Sequence, residues 1–160
     1  MDWLTAAGII NKCVNVTQGN LPLKAYEQPE VFKVYMVDTG LLCSKLDISA
    51  NMVLHTPHSF DGFKGSLTEN YIMQALVTNR IKPYYWSSQG KAEVDFVFQD
   101  KQGNVIPLEA KSADNVRARS LRSFMDIYKP AYSIRVSSKN FGFENNIKSI
   151  PLYAIGCLKV

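Results

Sequence analysis

Residues 93–111 read EVDFVFQDKQGNVIPLEAK, and this stretch decides the fold. Two runs of β-forming residues flank the turn-forming residues DKQGN, which start at Asp100. This pattern is typical of a β-hairpin. With the turn centred on Gln102, the side chain of Asp95 stands opposite that of Glu109. The sequence therefore predicts a hairpin that sets two carboxylates face to face.

Opposed carboxylates need something to offset their repulsion. Side chains directly opposite each other in a hairpin have Cβ atoms only about 4.5–5.5 Å apart, so two ionised acids there repel. A shared proton, a cationic neighbour or a bound metal would relieve the repulsion. Alternation along the strand puts Lys111 on the same face as Glu109. The other face is predicted to be apolar and to carry Val94, Phe96, Phe98, Leu108 and Ala110.

Lys111 has two explanations at this point. In the predicted register Lys111 faces Glu93, so the first explanation is an ion pair between these two residues in a solvated row of charged side chains. This ion pair accounts for the lysine but leaves the repulsion between Asp95 and Glu109 uncompensated. The second explanation is a hard divalent cation, Mg²⁺ or Mn²⁺, held by Asp95 and Glu109, which accounts for the two carboxylates and the lysine together. Lys111 would then orient an attacking water or neutralise charge on a phosphate. The sequence favours the metal site over the solvated row of charged side chains.

The elements around the hairpin predict an α/β fold with the order αβββαβ. An apolar stripe at helical spacing predicts a first helix with Ser66 as N-cap, running to about Asn79. A second helix is predicted from a cap at residues 112–114 to just before Pro130. Strands are predicted at residues 82–86, 92–98, 105–111, 131–137 and 150–155. Because a strand–helix–strand connection is normally a right-handed crossover, the fourth strand is expected to be parallel to the third in a mixed sheet.

The residues before this α/β unit predict a different module. A helix end at residues 3–8, strands at 9–16 and 31–37, and a short helix capped by Asp38 make a wing-like arrangement, so the chain is expected to begin within a module. The predicted parts are a partial winged-helix-like segment, a connector of uncertain structure and the α/β domain, at residues 1–46, 47–64 and 65–160.

Two further groups of charged residues have alternative explanations. Glu69 is either a third acid of the site or the partner of Ser66 in a capping box, in which the glutamate bonds the backbone of the N-cap. Arg117, Arg119 and Arg122 lie off the apolar stripe of the second helix, where they either follow DNA phosphates or are merely solvated.

Composition excludes several classes of protein. The chain has 160 residues, 46% of them hydrophobic and 20% charged, as expected for an ordinary globular protein. Its apolar runs fall far short of the roughly 18 residues of a membrane span, and no signal peptide is visible, so a cytoplasmic location without membrane contact is predicted. The cysteines fit neither a disulfide framework nor a zinc site. A net charge of +4 is compatible with a polyanionic partner but does not identify one.

Asp95 followed by Glu109-Ala110-Lys111 resembles the signature of the PD-(D/E)XK nuclease superfamily, and the αβββαβ order resembles the restriction-endonuclease-like core of that superfamily. Val94 stands where the signature has a proline. A more specific resemblance is to a domain of unknown function that usually follows an AAA-type ATPase module in bacterial and archaeal proteins. The blocks that carry it are residues 35–42, 65–69, 85–86, 90–96 and 106–111.

The resemblance implies roles for individual residues. Asp95, Glu109 and Glu69 would hold Mg²⁺ or Mn²⁺, and Lys111 would be the catalytic lysine. It also implies an upstream ATPase, since this chain has no G-x-x-x-x-G-K-[S/T] motif of its own, and it implies that residues 1–46 are the end of a longer winged segment.

The expected function is therefore metal-dependent hydrolysis of phosphodiester bonds in DNA. The alternative is a catalytically inactive module that docks DNA or a protein for the ATPase, since nuclease-like folds also serve as binding modules.

Overall fold

The computed structural model describes residues 2–55, 61–88, 92–111 and 119–160 of the chain. In these ranges, helices α1 to α5 span Asp2–Ala6, Thr39–Lys45, Ala50–His55, Asp61–Thr78 and Arg119–Tyr128. Strands β1 to β8 span Ile10–Val16, Glu27–Met36, Tyr84–Ser87, Glu93–Gln99, Val105–Ala110, Ser133–Ser137, Gly142–Glu144 and Ile147–Pro151. Short 3₁₀ helices occupy Leu23–Tyr26 and Leu152–Cys157. No described helix is both long and apolar enough to cross a bilayer.

The described strands join one mixed eight-stranded sheet in the order β2-β1-β3-β4-β5-β6-β8-β7. The pairs β1–β3, β5–β6 and β6–β8 are parallel, and the remaining neighbours are antiparallel. The carboxyl ends of β5, β6 and β8 therefore meet at one edge of the sheet, which we call the carboxyl edge. The predicted mixed sheet is confirmed, as are the order α4-β3-β4-β5-α5-β6 and the parallel pairing of β5 with β6.

Two apolar clusters lie on opposite faces of the sheet. Phe96 and Phe98 of β4 pack on one face together with Ile72 and Leu76 of α4. The neighbouring Val97 packs on the other face, because successive side chains of a strand alternate. That second cluster contains Trp86, Leu121 and Phe124, and the indole of Trp86 meets the rings of Phe124 and Tyr128 edge-on. The sheet thus has α4 on one face and α5 on the other.

The N-terminal hairpin continues this sheet. Strands β1 and β2 are predicted as the strands of a wing. In the structure β1 pairs with β3 in parallel through Val14, Asn15 and Val16, and β2 lies on the outer side of β1. Asp38 caps α2 as predicted, its side chain accepting a hydrogen bond from the amide of Leu41 at 2.9 Å. The division of the chain into units at residues 46 and 65 stays a prediction.

Helix α4 begins earlier than predicted. It starts at Asp61, within the expected connector, so Ser66 lies inside the helix and is not its N-cap. The capping box between Ser66 and Glu69 is therefore wrong. Gly62 and Gly65 interrupt the apolar pattern on which the prediction relied, and α3 also lies within the expected connector.

The end of the chain also differs from the prediction. The last strand, expected at residues 150–155, is β8 at Ile147–Pro151, because its pairing with β6 starts at Ile147. Residues Leu152–Cys157 form a 3₁₀ helix that still buries Ile155. The short, exposed β7 was not predicted. The predicted cap of the second helix at residues 112–114 lies outside the described part of the chain.

Candidate active site

The hairpin formed by β4 and β5 has the predicted register. Its pairs run from Phe96 with Leu108 to Gln99 with Val105, as a turn centred on Gln102 requires. At the turn, Asp100 accepts a hydrogen bond from the amide of Asn104 at 2.7 Å, and Gly103 has a φ of 83°, a conformation that glycine adopts without strain. The paired residues end at Phe96 and Leu108, one step short of Asp95 and Glu109, so the predicted opposition of these two carboxylates stays a prediction.

A β-bulge in β4 lies at the candidate acid. Between the pairs Trp86–Val94 and Tyr84–Val97, β3 contributes only Tyr85, whereas β4 contributes both Asp95 and Phe96. Such an extra residue turns the side chains on its two sides out of simple alternation. Val94 consequently packs with Trp86 and Val97 on the α5 face, so the prediction that Val94 shares the apolar face of Phe96 is wrong.

Asp95 is half-buried and crowded by negative charge. Its Oδ2 accepts a hydrogen bond from the amide of Ala110 at 2.7 Å. Burial, followed by the negative charge of Glu69, raises the pKa of Asp95 to about 7; Glu109 adds to this rise, while the Ala110 amide and Lys33 oppose it. A carboxyl group with its pKa this high stands where added positive charge would be stabilising.

Glu69 reaches the same region from α4. Its Oε2 accepts a hydrogen bond from the hydroxyl of Tyr35 at 3.0 Å and lies 3.8 Å from Nζ of Lys33. Asn70 fixes this part of the helix to β2, because its Oδ1 accepts from the amide of Met36 at 2.8 Å and its Nδ2 donates to the carbonyl of the same residue at 3.2 Å. The capping box is excluded, and the charge of Glu69 acts on Asp95; the role of Glu69 as a third acid of the site stays a prediction.

Lys33 is the residue of this cluster that the sequence did not reveal. Its Nζ lies 2.5 Å from Oε1 of Glu93. Burial opposes its charge, but the hydrogen bond to Glu93 and the charge of Glu69 together raise the pKa of Lys33. The alternative of an ion pair between Glu93 and Lys111 is therefore excluded, because Glu93 pairs with Lys33 and Lys111 pairs with Glu109. Lys33 and Tyr35 are two residues apart on β2 and therefore share a face of the sheet. This spacing is the local feature of the sequence that places them together.

Lys111 pairs with Glu109, two residues before it in the chain. Its Nζ lies 2.6 Å from Oε1 of Glu109. Glu109 is only 4% exposed, and its second oxygen, Oε2, is buried without a hydrogen-bond partner in the described part of the protein. A buried carboxylate oxygen left without a partner is costly, by about 1–3 kcal/mol or more. It is the kind of atom that a cation would satisfy.

The donor set fits a hard divalent cation, although the acids do not close into a three-ligand cage. Within residues 2–55, 61–88, 92–111 and 119–160, no three Asp, Glu, His or Cys side chains converge closely enough to hold a metal. Mg²⁺ commonly takes only one or two carboxylates and completes its shell with water. The unpartnered oxygen of Glu109 and the raised pKa of Asp95 are the two observations in favour of such an ion.

Two of the three arginines predicted to follow DNA phosphates are on the solvent side of α5. Arg119 and Arg122 are exposed on α5, whose Leu121 and Phe124 face the sheet. Arg117 lies outside the described residues. The two described guanidinium groups therefore face solvent, as expected both for contacts with DNA phosphates and for simple solvation.

A groove of about 560 Å³ opens beside Glu69. Its lining combines the polar side chains of Lys33 and Glu69 with apolar residues of β2, α2 and α4. The apolar members include Val34, Met36, Leu42, Leu46 and Phe63.

Comparisons with known proteins identify two family matches. Residues 64–155 match the model described as Domain of unknown function (DUF4143), and residues 1–52 match that described as Domain of unknown function (DUF8612). No curated protein matches the chain. A similar solved structure comes from the refined half-complex of the tetradecameric assembly of Thermococcus gammatolerans McrB AAA+ hexamers with bound McrC. The identity is 19% and the TM-score 0.39, over 54% of this chain and 27% of that chain. A TM-score of this size does not establish a shared fold.

Proposed function

The chain belongs to the DUF4143 family, and from the chemistry of its carboxylates we propose that it is a Mg²⁺- or Mn²⁺-dependent phosphodiesterase acting on DNA. The observation that carries the proposal is the buried, unpartnered Oε2 of Glu109, on the strand next to an aspartate whose pKa is raised to about 7. The element order α4-β3-β4-β5-α5-β6 supports the further proposal of a restriction-endonuclease-like core.

Each residue of the cluster has a role in this proposal. Asp95 and Glu109 hold the cation, and Glu69 contributes charge from the helix. When bound, the cation acts as a Lewis acid toward the phosphate and lowers the pKa of a water molecule. Lys111, held at 2.6 Å by Glu109, positions the attacking water and neutralises charge that develops on the phosphate. Tyr35 keeps Glu69 in place through its hydroxyl.

The proposal also includes partners. The resemblance of residues 35–42 and 90–96 to ATPase-associated domains supports an AAA-type ATPase module preceding this chain, with residues 1–46 as part of a winged-helix-like segment. Arg117, Arg119 and Arg122 would follow the DNA backbone, and the whole would act in the cytoplasm.

The first test is binding of Mn²⁺ by calorimetry, because it needs no knowledge of the DNA substrate. We expect the parent protein to bind, and the double variant Asp95→Asn, Glu109→Gln to lose binding by at least tenfold. Asp126→Asn, which removes an exposed carboxylate of α5, is the matched control and should bind like the parent. A parent protein that binds no Mn²⁺ at millimolar concentration, in the absence and presence of DNA, would overturn the proposal.

The second test is cleavage of labelled DNA with Mn²⁺ present. Lys111→Ala is expected to reduce cleavage by about 10²-fold or more while retaining most of the metal affinity, since the lysine acts on water and phosphate. Cleavage equal to that of the parent would remove Lys111 from the mechanism.

A second candidate function is a catalytically inactive DNA- or protein-binding module. The observation that favours it is Lys33, which already supplies a positive charge to Glu69 and Glu93, together with the lack of a three-ligand cage among the described residues. This alternative predicts DNA binding that weakens with salt, survives Asp95→Asn with Glu109→Gln, and is never followed by cleavage.

A further inference from the structure

Three large aromatic side chains stand exposed together near the end of the chain. Phe141 is 63% exposed, Phe143 64% and Tyr153 76%. The rings of Phe141 and Tyr153 lie edge to face with their centroids 6.5 Å apart. Aromatic residues are mostly buried in folded proteins, and an exposed group of them marks an interaction surface.

A groove beside these rings extends the surface to α4. It has a volume of about 470 Å³ and an almost entirely apolar lining. Its lining includes Tyr71 of α4, Tyr153, and Ser137 and Ser138 at the end of β6. We call Tyr71, Phe141, Phe143 and Tyr153 the aromatic platform.

The chain around the platform carries one net positive charge. Segment 137–153 contains two lysines, Lys139 and Lys148, and one acidic residue, Glu144. Phe143 and Lys148 are direct partners across β7 and β8, and the ammonium group of Lys148 lies 3.5 Å from the ring centre of Tyr132. Aromatic faces interleaved with lysines are the arrangement by which proteins hold single-stranded nucleic acid: bases stack on the rings and phosphates meet the cations.

The platform lies along the same end of the sheet as the candidate active site. Lys111 follows β5, Ser138 follows β6 and Tyr153 follows β8, so all three lie at the carboxyl edge. The amide of Lys111 donates to the carbonyl of Val136 at 2.8 Å, directly before the serines of the groove. With neighbouring strands about 4.8 Å apart, the chain end of β8 lies about 10 Å across the edge from that of β5.

We propose that the aromatic platform binds single-stranded DNA by stacking its bases, so that a strand lying on Tyr71, Phe141, Phe143 and Tyr153 passes its phosphates to Glu109 and Lys111. This rests on the proposed phosphodiesterase function and names its substrate as a single strand or the frayed end of a duplex. The alternative occupants of the aromatic platform are a protein partner and a second copy of the chain paired through the exposed strand β7.

The test measures fluorescence anisotropy of a labelled oligo(dT) of about 20 nucleotides, in EDTA so that no cleavage occurs. We expect Phe141→Ala and Tyr153→Ala each to weaken binding about tenfold, whereas Tyr153→Phe, which keeps the aromatic face, binds like the parent. Trp3→Ala removes a side chain that is 69% exposed on α1, near the opposite end of the sheet, and should leave binding unchanged. Circular dichroism confirms that each variant is folded.

Several outcomes would overturn the platform. One is equal affinity of the alanine variants and the parent for oligo(dT); another is an equal loss for the matched duplex, which would indicate that the rings do not select a single strand. A parent protein that binds neither form but dimerises in sedimentation, with Phe143→Ala monomeric, would assign the surface to a second copy. The two proposals fail separately: oligo(dT) binding without Mn²⁺ binding removes the phosphodiesterase, and Mn²⁺ binding without an effect of Tyr153→Ala removes the platform.

Discussion

Lys33 shows how one residue sets the charge of the acidic cluster. Its ammonium group lies 2.5 Å from Glu93 and 3.8 Å from Glu69, so the chain itself neutralises part of the negative charge around Asp95. A metal ion entering the cluster has to compete with this built-in cation. The lysine therefore limits the affinity for any added cation.

Replacing this lysine tests that competition. Lys33→Met keeps an apolar chain of similar length and removes the charge, so we expect Mn²⁺ to bind about tenfold more tightly, a change of about 1.4 kcal/mol that one charge several ångströms away readily supplies. Calorimetry measures the change, and Lys45→Met, at the exposed end of α2, is the control. Weaker binding would instead mean that Lys33 holds the carboxylates in position.

At the scale of elements, Glu27 ties the N-terminal hairpin to the rest of the sheet. It lies at the start of β2, and its Oε1 accepts hydrogen bonds from the hydroxyl of Tyr84 at 2.7 Å and from Nζ of Lys82 at 2.9 Å. Since β1 lies between β2 and β3, this carboxylate spans a whole strand to reach its partners.

The link predicts a pH dependence of stability. The hydrogen bond from Lys82 is the main cause that lowers the pKa of Glu27, and the Tyr84 hydroxyl adds to it. A lowered pKa contributes stability above the unfolded value of about 4.3 that is lost as the pH falls through the folded value. We expect Glu27→Gln to reduce the free energy of unfolding by about 1 kcal/mol at pH 7 and by almost nothing near pH 3.

Urea denaturation at the two pH values measures this difference. Glu30→Gln, on the same strand and exposed, is the matched control and should change stability at neither pH. An equal loss at pH 7 and pH 3 for Glu27→Gln would show that the side chain acts through packing rather than charge.

Elements whose signals are local were predictable from the sequence. The register of the β4–β5 hairpin follows from its turn and alternation, and the cap of α2 follows from Asp38 alone. The bulge at Asp95 depends on pairing with β3, some ten residues earlier in the chain, so no local pattern announces it. The start of α4 is not predictable in the same way, because Gly62 and Gly65 lower the helical propensity of that stretch.

The candidate site was predictable only in part, because it assembles residues that are distant in sequence. The hairpin supplies Asp95, Glu109 and Lys111, all within the opening stretch. Lys33 arrives from β2, 60 residues before its partner Glu93. Long-range pairing of this kind leaves no period or spacing in the sequence, so the ion pair of Lys33 with Glu93 is not predictable from it.

At the scale of the whole molecule, the sheet joins the two family-matched segments into one structure. Lys33 and Tyr35, from the segment that matches DUF8612, contact Glu69 in the segment that matches DUF4143. Cys13 of β1 is fully buried in a cluster with Phe96 and Leu108. Opening the N-terminal hairpin alone would therefore expose the core of the whole sheet.

We expect the protein to unfold in a single cooperative transition. Burial raises the pKa of the Cys13 thiol to about 12, so this cysteine should react with a thiol reagent only when β1 opens. With Cys43→Ser and Cys157→Ser in place to remove the other thiols, the urea dependence of labelling should coincide with that of far-ultraviolet circular dichroism. Labelling at markedly lower urea would mean that the hairpin opens by itself.

The contacts of Trp86 give the protein an optical reporter of its own. Its indole is buried between the sheet and α5, 5.2 Å from the ring of Phe124 and 5.9 Å from that of Tyr128. Emission from this tryptophan will shift to longer wavelength if α5 lifts from the sheet and water reaches the ring. Because α5 carries Arg119 and Arg122, the emission of a Trp3→Phe protein tests in real time, without an attached dye, whether DNA engages this helix.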